Sequence, residues 1–230
     1  MTIYEGRSRR NRIMITLAVA AVVVLFVLSR GCSFAGGPAS GRVLDFDTGQ
    51  PLVGAIVVVR WNGPAMGLVH SSRVCFHVET AVSDVDGRYR VSSWVQRPKP
   101  WAVWGTSTTV DAYKRGYESV RTQRTQTEAP EDVFMKKFDG SSVERFYYVS
   151  QRVFGGMDCV NAESSARNLY PLLKVAFREA KSLANSTQEQ SELEGMRRNA
   201  AETWLAPPTD SPYDPASIER VPEDIRRDLE

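Results

Sequence analysis

Short apolar runs separated by turn-forming residues occupy the chain from residue 41 to residue 122. Val43 and Leu44 precede a turn sequence, Asp-Thr-Gly, at residues 47 to 49. Residues 56 to 61 are rich in β-branched side chains on both faces, which is typical of a strand that is buried on both sides. The pattern therefore predicts short β-strands packed in a sandwich.

A second strand pair is predicted between residues 78 and 91. The sequence Asp-Val-Asp-Gly at residues 84 to 87 separates two alternating runs, and Asp-Gly in that position is a strong signal for a β-hairpin. Alternation directs Tyr89 and Val91 inward, whereas Arg88 and Arg90 point outward. We therefore expect a hairpin with one buried side and one solvent-facing side.

Apolar residues recur at helical spacing in the C-terminal third of the chain. The first stripe consists of Leu169, Leu172, Leu173, Ala176, Phe177, Ala180 and Leu183. Charged residues lie away from that stripe: Lys174, Arg178, Glu179 and Lys181. The second stripe consists of Leu193, Met196, Ala200 and Trp204. Residues 161–206 are therefore predicted to form a helical hairpin, which must bury its stripes against the sandwich.

Three local signals refine the C-terminal half. Pro171 bends the first helix or marks its first turn, and Ser186 with Glu189 offers a capping box for the second. Residues 123–160 form a predicted connector with an edge strand at 133–138 and a helix at 142–153. Residues 207–230 contain five prolines and seven acidic residues, so we expect an extended tail with a helical turn near 223–229.

The turn-forming and strand residues between 41 and 122 follow one known pattern. It is met by Asp45, Gly49, Pro51, Leu52, Gly54, Ala55, Val57, Val59, Ser83, Asp84, Gly87, Tyr89, Gly116 and Tyr117. In these positions the chain resembles the carboxypeptidase regulatory-like domain, a small transthyretin-like antiparallel β-sandwich. The resemblance implies a fold and says little about activity.

The N-terminus has a different character. Arginines precede an apolar run at residues 13–29, which predicts a transmembrane signal-anchor helix after a cytoplasmic segment, 1–12, and before a linker, 30–40. Cys32 offers an alternative, because Leu-Ser-Arg-Gly-Cys is similar to a bacterial lipobox and would make the protein a lipoprotein. The expected fold class is thus α+β: a transmembrane helix, the sandwich and the helical hairpin packed on it.

Charge and cysteine content indicate the compartment. Residues 1 to 31 hold five of the 29 basic residues and one of the 27 acidic residues, so the remainder of the chain carries 24 basic and 26 acidic residues. This nearly neutral remainder lacks the excess of positive charge that is typical of nucleic-acid-binding proteins. Cys75 and Cys159 follow the apolar run and are predicted to lie in an oxidising space, where a cysteine pair favours a disulfide. We therefore expect a bacterial inner-membrane protein that faces the periplasm.

Two groups of residues are candidates for chemistry. Trp94, Trp101 and Trp104 lie on a proline-rich stretch and either stack on a ligand or seal one end of the sandwich. His70, His77 and Glu79 are the metal-ligand types that lie nearest one another in sequence.

The sequence contains no nucleophile elbow, phosphate loop or dinucleotide fingerprint. The predicted function is therefore a non-catalytic binding or assembly module of a membrane-anchored envelope protein, with no cofactor. Its partner would be an envelope protein or a glycan. The alternative is a metal-dependent enzyme that uses His70, His77 and Glu79.

Overall fold

The structure is a computed structural model and describes residues 34–65, 72–96, 107–120, 132–155, 159, 167–205 and 221–230. Its strands are β1 Phe34–Gly36, β2 Ala39–Asp45, β3 Ile56–Ala65, β4 Ser72–Val82, β5 Arg88–Val91, β6 Trp94–Gln96, β7 Ser107–Tyr113, β8 Tyr117–Val120 and β9 Val133–Lys137. Its helices are α1 Ser142–Tyr147, a π-helix Tyr148–Phe154, α2 Tyr170–Leu183, α3 Thr187–Leu205 and α4 Glu223–Asp228.

The chain divides into two compact units. One contains the described residues 34–35 and 94–96, and the other contains the remaining described residues. Strands β1 and β6 pair as a two-stranded sheet. The segment predicted as a linker, residues 30–40, contains β1 and the first two residues of β2, so part of it forms strands.

The larger unit contains two sheets in a sandwich-like arrangement. Sheet A has the strand order β5-β2-β9-β8, and sheet B has the order β4-β3-β7. The prediction of a purely antiparallel sandwich is wrong, because β2 and β9 pair in parallel, with Val43 opposite Val133. Strand β9 was expected at an edge, yet it lies between β2 and β8. It forms an antiparallel ladder with β8 on its other side.

The turn between β4 and β5 forms at the predicted residues, but the predicted hairpin is wrong, because β4 pairs with β3 in sheet B whereas β5 pairs with β2 in sheet A. Asp84 Oδ1 accepts hydrogen bonds from the backbone N–H groups of Asp86 and Arg88, at 2.9 and 2.8 Å. Gly87 has φ of 71°, and a Cβ at that position would lie 2.6 Å from the carbonyl oxygen of Val43. Only glycine fits here, because the turn needs a left-handed residue and β2 approaches closely.

Strand β3 separates two apolar layers. Ile56, Val57, Val58 and Val59 are all buried, as the β-branched run predicts. Ile56 and Val58 belong to one buried cluster with the helices, whereas Val57 and Val59 face the other side of the strand. Sheet B is therefore covered by sheet A on one face and by helices on the other.

The helical hairpin forms as α2 and α3. The stripe residues of α2 are buried from Leu169 to Ala180, and Pro171 occupies the first turn. Glu189 accepts backbone hydrogen bonds from Asn185 and Ser186, both at 2.8 Å, and donates its own N–H to Ser186 Oγ, which completes the predicted capping box.

The end of the chain is described from residue 221 onward, whereas residues 207–220 of the predicted tail lie outside the described residues. Helix α4 forms at the residues where a helical turn was expected, and Val221, Ile225 and Leu229 are buried in the same cluster as α2 and α3. Asp228 forms ion pairs with Lys174 and Arg178 of α2. Composition predicted an exposed segment here because the apolar residues are few, but they recur every four residues on one side of a short helix.

The expected fold class with a transmembrane helix needs correction. The described chain is α+β, built of sheets and helices, and none of its helices has the length and apolarity needed to cross a membrane. Residues 13–29, on which the prediction was placed, lie outside the described residues, as does the candidate lipidation residue Cys32.

Candidate binding site

A groove of about 980 Å³ lies beside β4 and β5, which are edge strands of the two sheets among the described residues. Its lining includes Arg42, Arg88 and Arg90 from sheet A, together with Ala81 and Val82 from β4. Val82 is 63% exposed, so the groove offers apolar as well as charged surface. The turn between β4 and β5, which carries the chain from sheet B to sheet A, contributes Asp84 to the lining.

The arginines of the groove are brought together by strand register. Arg42 on β2 lies directly opposite Arg88 on β5, and Ser40 lies opposite Arg90. Because side chains two residues apart share a face, all three guanidinium groups extend from the outer face of sheet A. Arg42 and Arg88 thus form a cross-strand pair of like charge, an arrangement that ordinarily destabilises a sheet.

Only part of this positive charge is neutralised within the described chain. The Arg42 guanidinium donates to both carboxylate oxygens of Asp132, at 2.8 and 3.4 Å, and this hydrogen bond raises the pKa of Arg42. Arg88 lies 3.9 Å from Asp86, and both side chains are mostly exposed. Arg90 is exposed and makes no side-chain ion pair with another described residue. The groove therefore presents two weakly compensated cations.

The backbone of β5 is also open toward the groove. Val43 N–H donates to the Gly87 carbonyl at 2.7 Å, so alternation along the ladder turns the backbone groups of Tyr89 and Val91 toward β2. The groups of Arg88 and Arg90 point to the free edge. Asp84 binds both backbone groups of Arg88. Its side-chain Oδ1 accepts a hydrogen bond from the Arg88 N–H, and its backbone N–H donates to the Arg88 carbonyl at 2.9 Å. Arg90 has no such partner among the described residues.

The edge of β4 is partly covered. Asn168, just before α2, donates its amide to the Val78 carbonyl at 3.1 Å, and its own carbonyl accepts from Thr80 Oγ1 at 2.9 Å. These contacts protect the middle of the β4 edge, a common need in sheets with open edges. The exposed stretch that remains at Val82 lies beside the groove.

A second cluster of charged residues is buried and closed. Arg145 of α1 binds Glu179 of α2 through two hydrogen bonds, at 2.9 and 3.1 Å, and each residue is 4% exposed. Glu179 also accepts from the Tyr113 hydroxyl and from the Gly116 N–H. Arg145 donates to the Tyr117 carbonyl at 2.6 Å. The prediction that Glu179 lies away from the buried stripe is therefore wrong.

The protonation of this cluster follows from its contacts. Burial raises the pKa of Glu179, but the hydrogen bonds from Arg145 and Tyr113 and the charge of Arg145 outweigh burial and hold that pKa below its ordinary value of 4.5. Burial and the neighbouring carboxylate raise the pKa of Tyr113. With every polar group paired and solvent excluded, the cluster serves to join helices to sheet B and does not present a surface to a ligand.

Two of the three candidate metal ligands bind each other. His77 Nε2 lies 2.9 Å from Glu79 Oε1, and its ring lies 5.5 Å from the Trp61 ring. Burial lowers the pKa of His77, although Glu79 opposes that change. His70 lies outside the described residues, and no group of three potential metal-binding side chains occurs in the part of the chain that the structure describes.

The cysteine pair lies on the opposite side of β4 from His77. The ladder between β3 and β4 shifts after Trp61, so Asn62 pairs with Cys75 and Phe76 is the extra residue of a β-bulge. Cys75 consequently joins the helix-facing buried cluster, which also contains Cys159. The two residues are at disulfide distance, with Cα atoms 5.3 Å apart. This contact ties sheet B to Cys159, which lies in the chain between the π-helix and α2.

The candidate tryptophan platform is only partly described. Trp94 lies on β6 and is buried, whereas Trp101 and Trp104 lie outside the described residues. Whether these rings stack on a ligand or seal the sandwich therefore stays a prediction.

Comparisons of the chain with protein-family models, curated proteins and solved structures find no match. The resemblance to carboxypeptidase regulatory-like domains therefore stays a hypothesis. The sequence did predict that Arg88 and Arg90 face outward, but Arg42 and Asp132 were missed. These two residues reach the groove because of the β2–β5 register and the parallel pairing of β9 with β2. Neither pairing can be predicted from the pattern of a single segment.

Proposed function

We propose that this protein is a non-catalytic binding module that acts outside the cytoplasm and holds an anionic partner in the groove beside β4 and β5. The observation that carries the proposal is the cross-strand pair of Arg42 and Arg88, with Arg90 beside it. Like charges directly opposite each other in an antiparallel pair carry a cost in stability. A bound anion reverses that cost, because guanidinium groups bind carboxylates and phosphates through charge-assisted hydrogen bonds.

Protection of a sheet edge accounts for only two of the three arginines, while the third, Arg42, is paired with Asp132. Charged side chains on an edge strand discourage pairing with other chains, and Arg88 and Arg90 lie on such an edge. Arg42 lies on β2, which is enclosed by β5 and β9, so edge protection does not require a charge there.

The compartment and the absence of catalysis are supported by different contacts. Cys75 and Cys159 lie at disulfide distance, and disulfides persist in oxidising compartments. His77 and Glu79 are engaged with each other beside Trp61, which favours a structural role for the pair. The alternative of a metal-dependent enzyme is tested by metal analysis of the purified protein. Stoichiometric zinc that is lost in His77→Ala would replace the binding proposal with the enzyme.

The binding proposal is tested with polyaspartate as the probe. In low-salt buffer we expect binding that weakens by at least tenfold in Arg42→Ser/Arg88→Ser, since a hydrogen bond to a charged group contributes about 1.5 to 3 kcal/mol. The matched control is Arg178→Ser/Arg227→Ser, which removes the same charge from exposed positions on α2 and α4. Equal affinities for the two double variants, or no binding by the unmodified protein, would overturn the proposal.

A further inference from the structure

We infer that the anionic partner is a peptide segment that lies extended along β5 and continues sheet A, with acidic residues at alternate positions. This inference rests on the proposed function and names the class of ligand that the same groove binds. It follows from the backbone at Arg90, from the face on which the arginines lie, and from the aliphatic surface at Ala81.

The backbone of Arg90 provides the pairing position. Its N–H and carbonyl point away from β2, and neither has a partner among the described residues. The corresponding groups of Arg88 are already bound by Asp84. An added strand therefore gains its main-chain hydrogen bonds at Arg90 and not at Arg88, which fixes where the peptide lies along β5. Main-chain pairing at an exposed edge is a recurring mode of peptide recognition.

The side chains define the sequence that fits. In a strand added next to β5, alternate residues share the outer face of sheet A with the guanidinium groups of Arg88 and Arg90. Carboxylates at those positions reach the two weakly compensated cations. The intervening residues point to the other face, where Ala81 of β4 lines the groove, since it pairs with Val57 on the side of sheet B that faces sheet A. The preferred pattern is an alternation of acidic and aliphatic residues.

The same lining argues against a sugar polymer. Carbohydrate sites usually include an exposed aromatic ring on which a sugar stacks. The aromatic residue that lines this groove, Tyr89, is 3% exposed, so its ring faces the core and not the groove. A peptide strand pairs with the Arg90 backbone groups that have no partner among the described residues and also covers the aliphatic surface at Ala81, for which a glycan has no apolar group of matching shape.

The test compares synthetic hexapeptides with blocked termini, bound to the full chain at low salt. The reference probe is Asp-Val-Asp-Val-Asp-Val, and the composition control is Asp-Asp-Asp-Val-Val-Val. We expect the alternating peptide to bind at least tenfold more tightly, and we expect Arg90→Ala to weaken its binding. Val175→Ala, which shortens an exposed side chain on α2, is the matched variant away from the groove and should leave the affinity unchanged.

Backbone pairing is tested by N-methylation of the alternating peptide. Methylating the amides of one alternate set, either the aspartates or the valines, should weaken binding at least tenfold, while methylating the other set should have little effect. The set whose methylation weakens binding shows whether the peptide runs parallel or antiparallel to β5. An antiparallel peptide bonds to Arg90 through the residue directly opposite it, whereas a parallel peptide bonds through the two residues on either side of that position.

The possible outcomes separate this inference from the proposed function. If the block peptide, both methylated peptides and a sulfated polysaccharide all bind as tightly as the alternating peptide, and all need Arg42 and Arg88, strand addition is overturned and the anion site stands. If no anionic probe depends on those arginines, the proposed function fails as well. A large effect of one methylated set supports strand addition directly.

Discussion

Arg145 and Glu179 form a bidentate ion pair that is almost closed to solvent and joins α1 to α2. Their other hydrogen bonds go to Tyr113 at the end of β7, to Lys114 and Gly116 in the turn, and to Tyr117 at the start of β8. The guanidinium also lies over the rings of Phe138 and Tyr148, at 5.2 and 4.9 Å. The pair therefore fixes the position of both helices relative to the turn between β7 and β8.

Breaking this pair should be costly. We expect Arg145→Met to lower the free energy of unfolding by roughly 3 to 5 kcal/mol, because the variant leaves the Glu179 carboxylate buried without its counter-charge. Urea denaturation measures the change. The matched control is Arg178→Met, whose ion pair with Asp228 is largely exposed and should contribute about 0 to 1 kcal/mol. Similar losses in the two variants would contradict the assignment of Arg145 as a buried anchor.

The same pair should make stability depend on acid. Glu179 has a lowered pKa in the folded protein, so its contribution is fully present above its unfolded value of 4.5 and is lost as the pH falls through the lower folded value. We therefore expect the stability difference between the unmodified protein and Glu179→Gln to shrink as the pH is lowered below about 4.5. Denaturant midpoints of both proteins over that range provide the measurement. A difference that stays constant with pH would show that Glu179 does not titrate in this way.

The contact between Cys75 and Cys159 predicts a disulfide that matters for stability. It spans 84 residues, and closing a loop of that length removes unfolded-state entropy equivalent to about 4.5 kcal/mol in the chain-entropy model. We expect a loss of roughly 2 to 4 kcal/mol in Cys75→Ala/Cys159→Ala. Alkylation of the denatured protein without reductant should label neither cysteine. If both are labelled in protein isolated from an oxidising compartment, the bond is absent.

Gly87 should be the least replaceable glycine among the turns of the sandwich. Gly87→Ala places a Cβ at 2.6 Å from the Val43 carbonyl oxygen and also imposes positive φ on a non-glycine residue. Gly49→Ala imposes a similar φ of 68° but meets no atom within 4 Å. The left-handed conformation alone costs roughly 1 to 2 kcal/mol, so Gly49→Ala should lose about that much and Gly87→Ala clearly more. Thermal unfolding of the two variants in parallel tests the order.

The sequence predicted those elements whose signal is local. The Asp-Gly turn before β5 depends on four consecutive residues, and the stripes of α2 and α3 depend on spacings of three and four. The capping box at Ser186 and Glu189 is likewise contained in one turn of helix. Each of these features was expected at the residues where it occurs, because the chain determines it without help from distant parts.

The features that the sequence did not predict depend on distant pairs. Glu179 has the chemistry of a surface residue on α2, and only its partner Arg145, 34 positions earlier, makes its burial favourable. Cys75 and His77 are two residues apart and would share a strand face, but the bulge at Phe76 separates them. The groove arginines become neighbours only through the register of β2 against β5. These contacts cannot be predicted from the pattern of one segment, because each depends on how two segments of the chain pair with each other.

The parallel pairing of β9 with β2 has a consequence for the order of folding. Strand β8 precedes β9 in the chain, yet β9 lies between β2 and β8. Direct docking of β8 on β2 would block the position of β9 and would have to be reversed. The β8–β9 ladder is therefore expected to form first and to add to β2 as a unit, closing a loop of about 90 residues between Val43 and Val133. Because such non-local pairing is slow, we expect the completion of sheet A to limit the rate of folding.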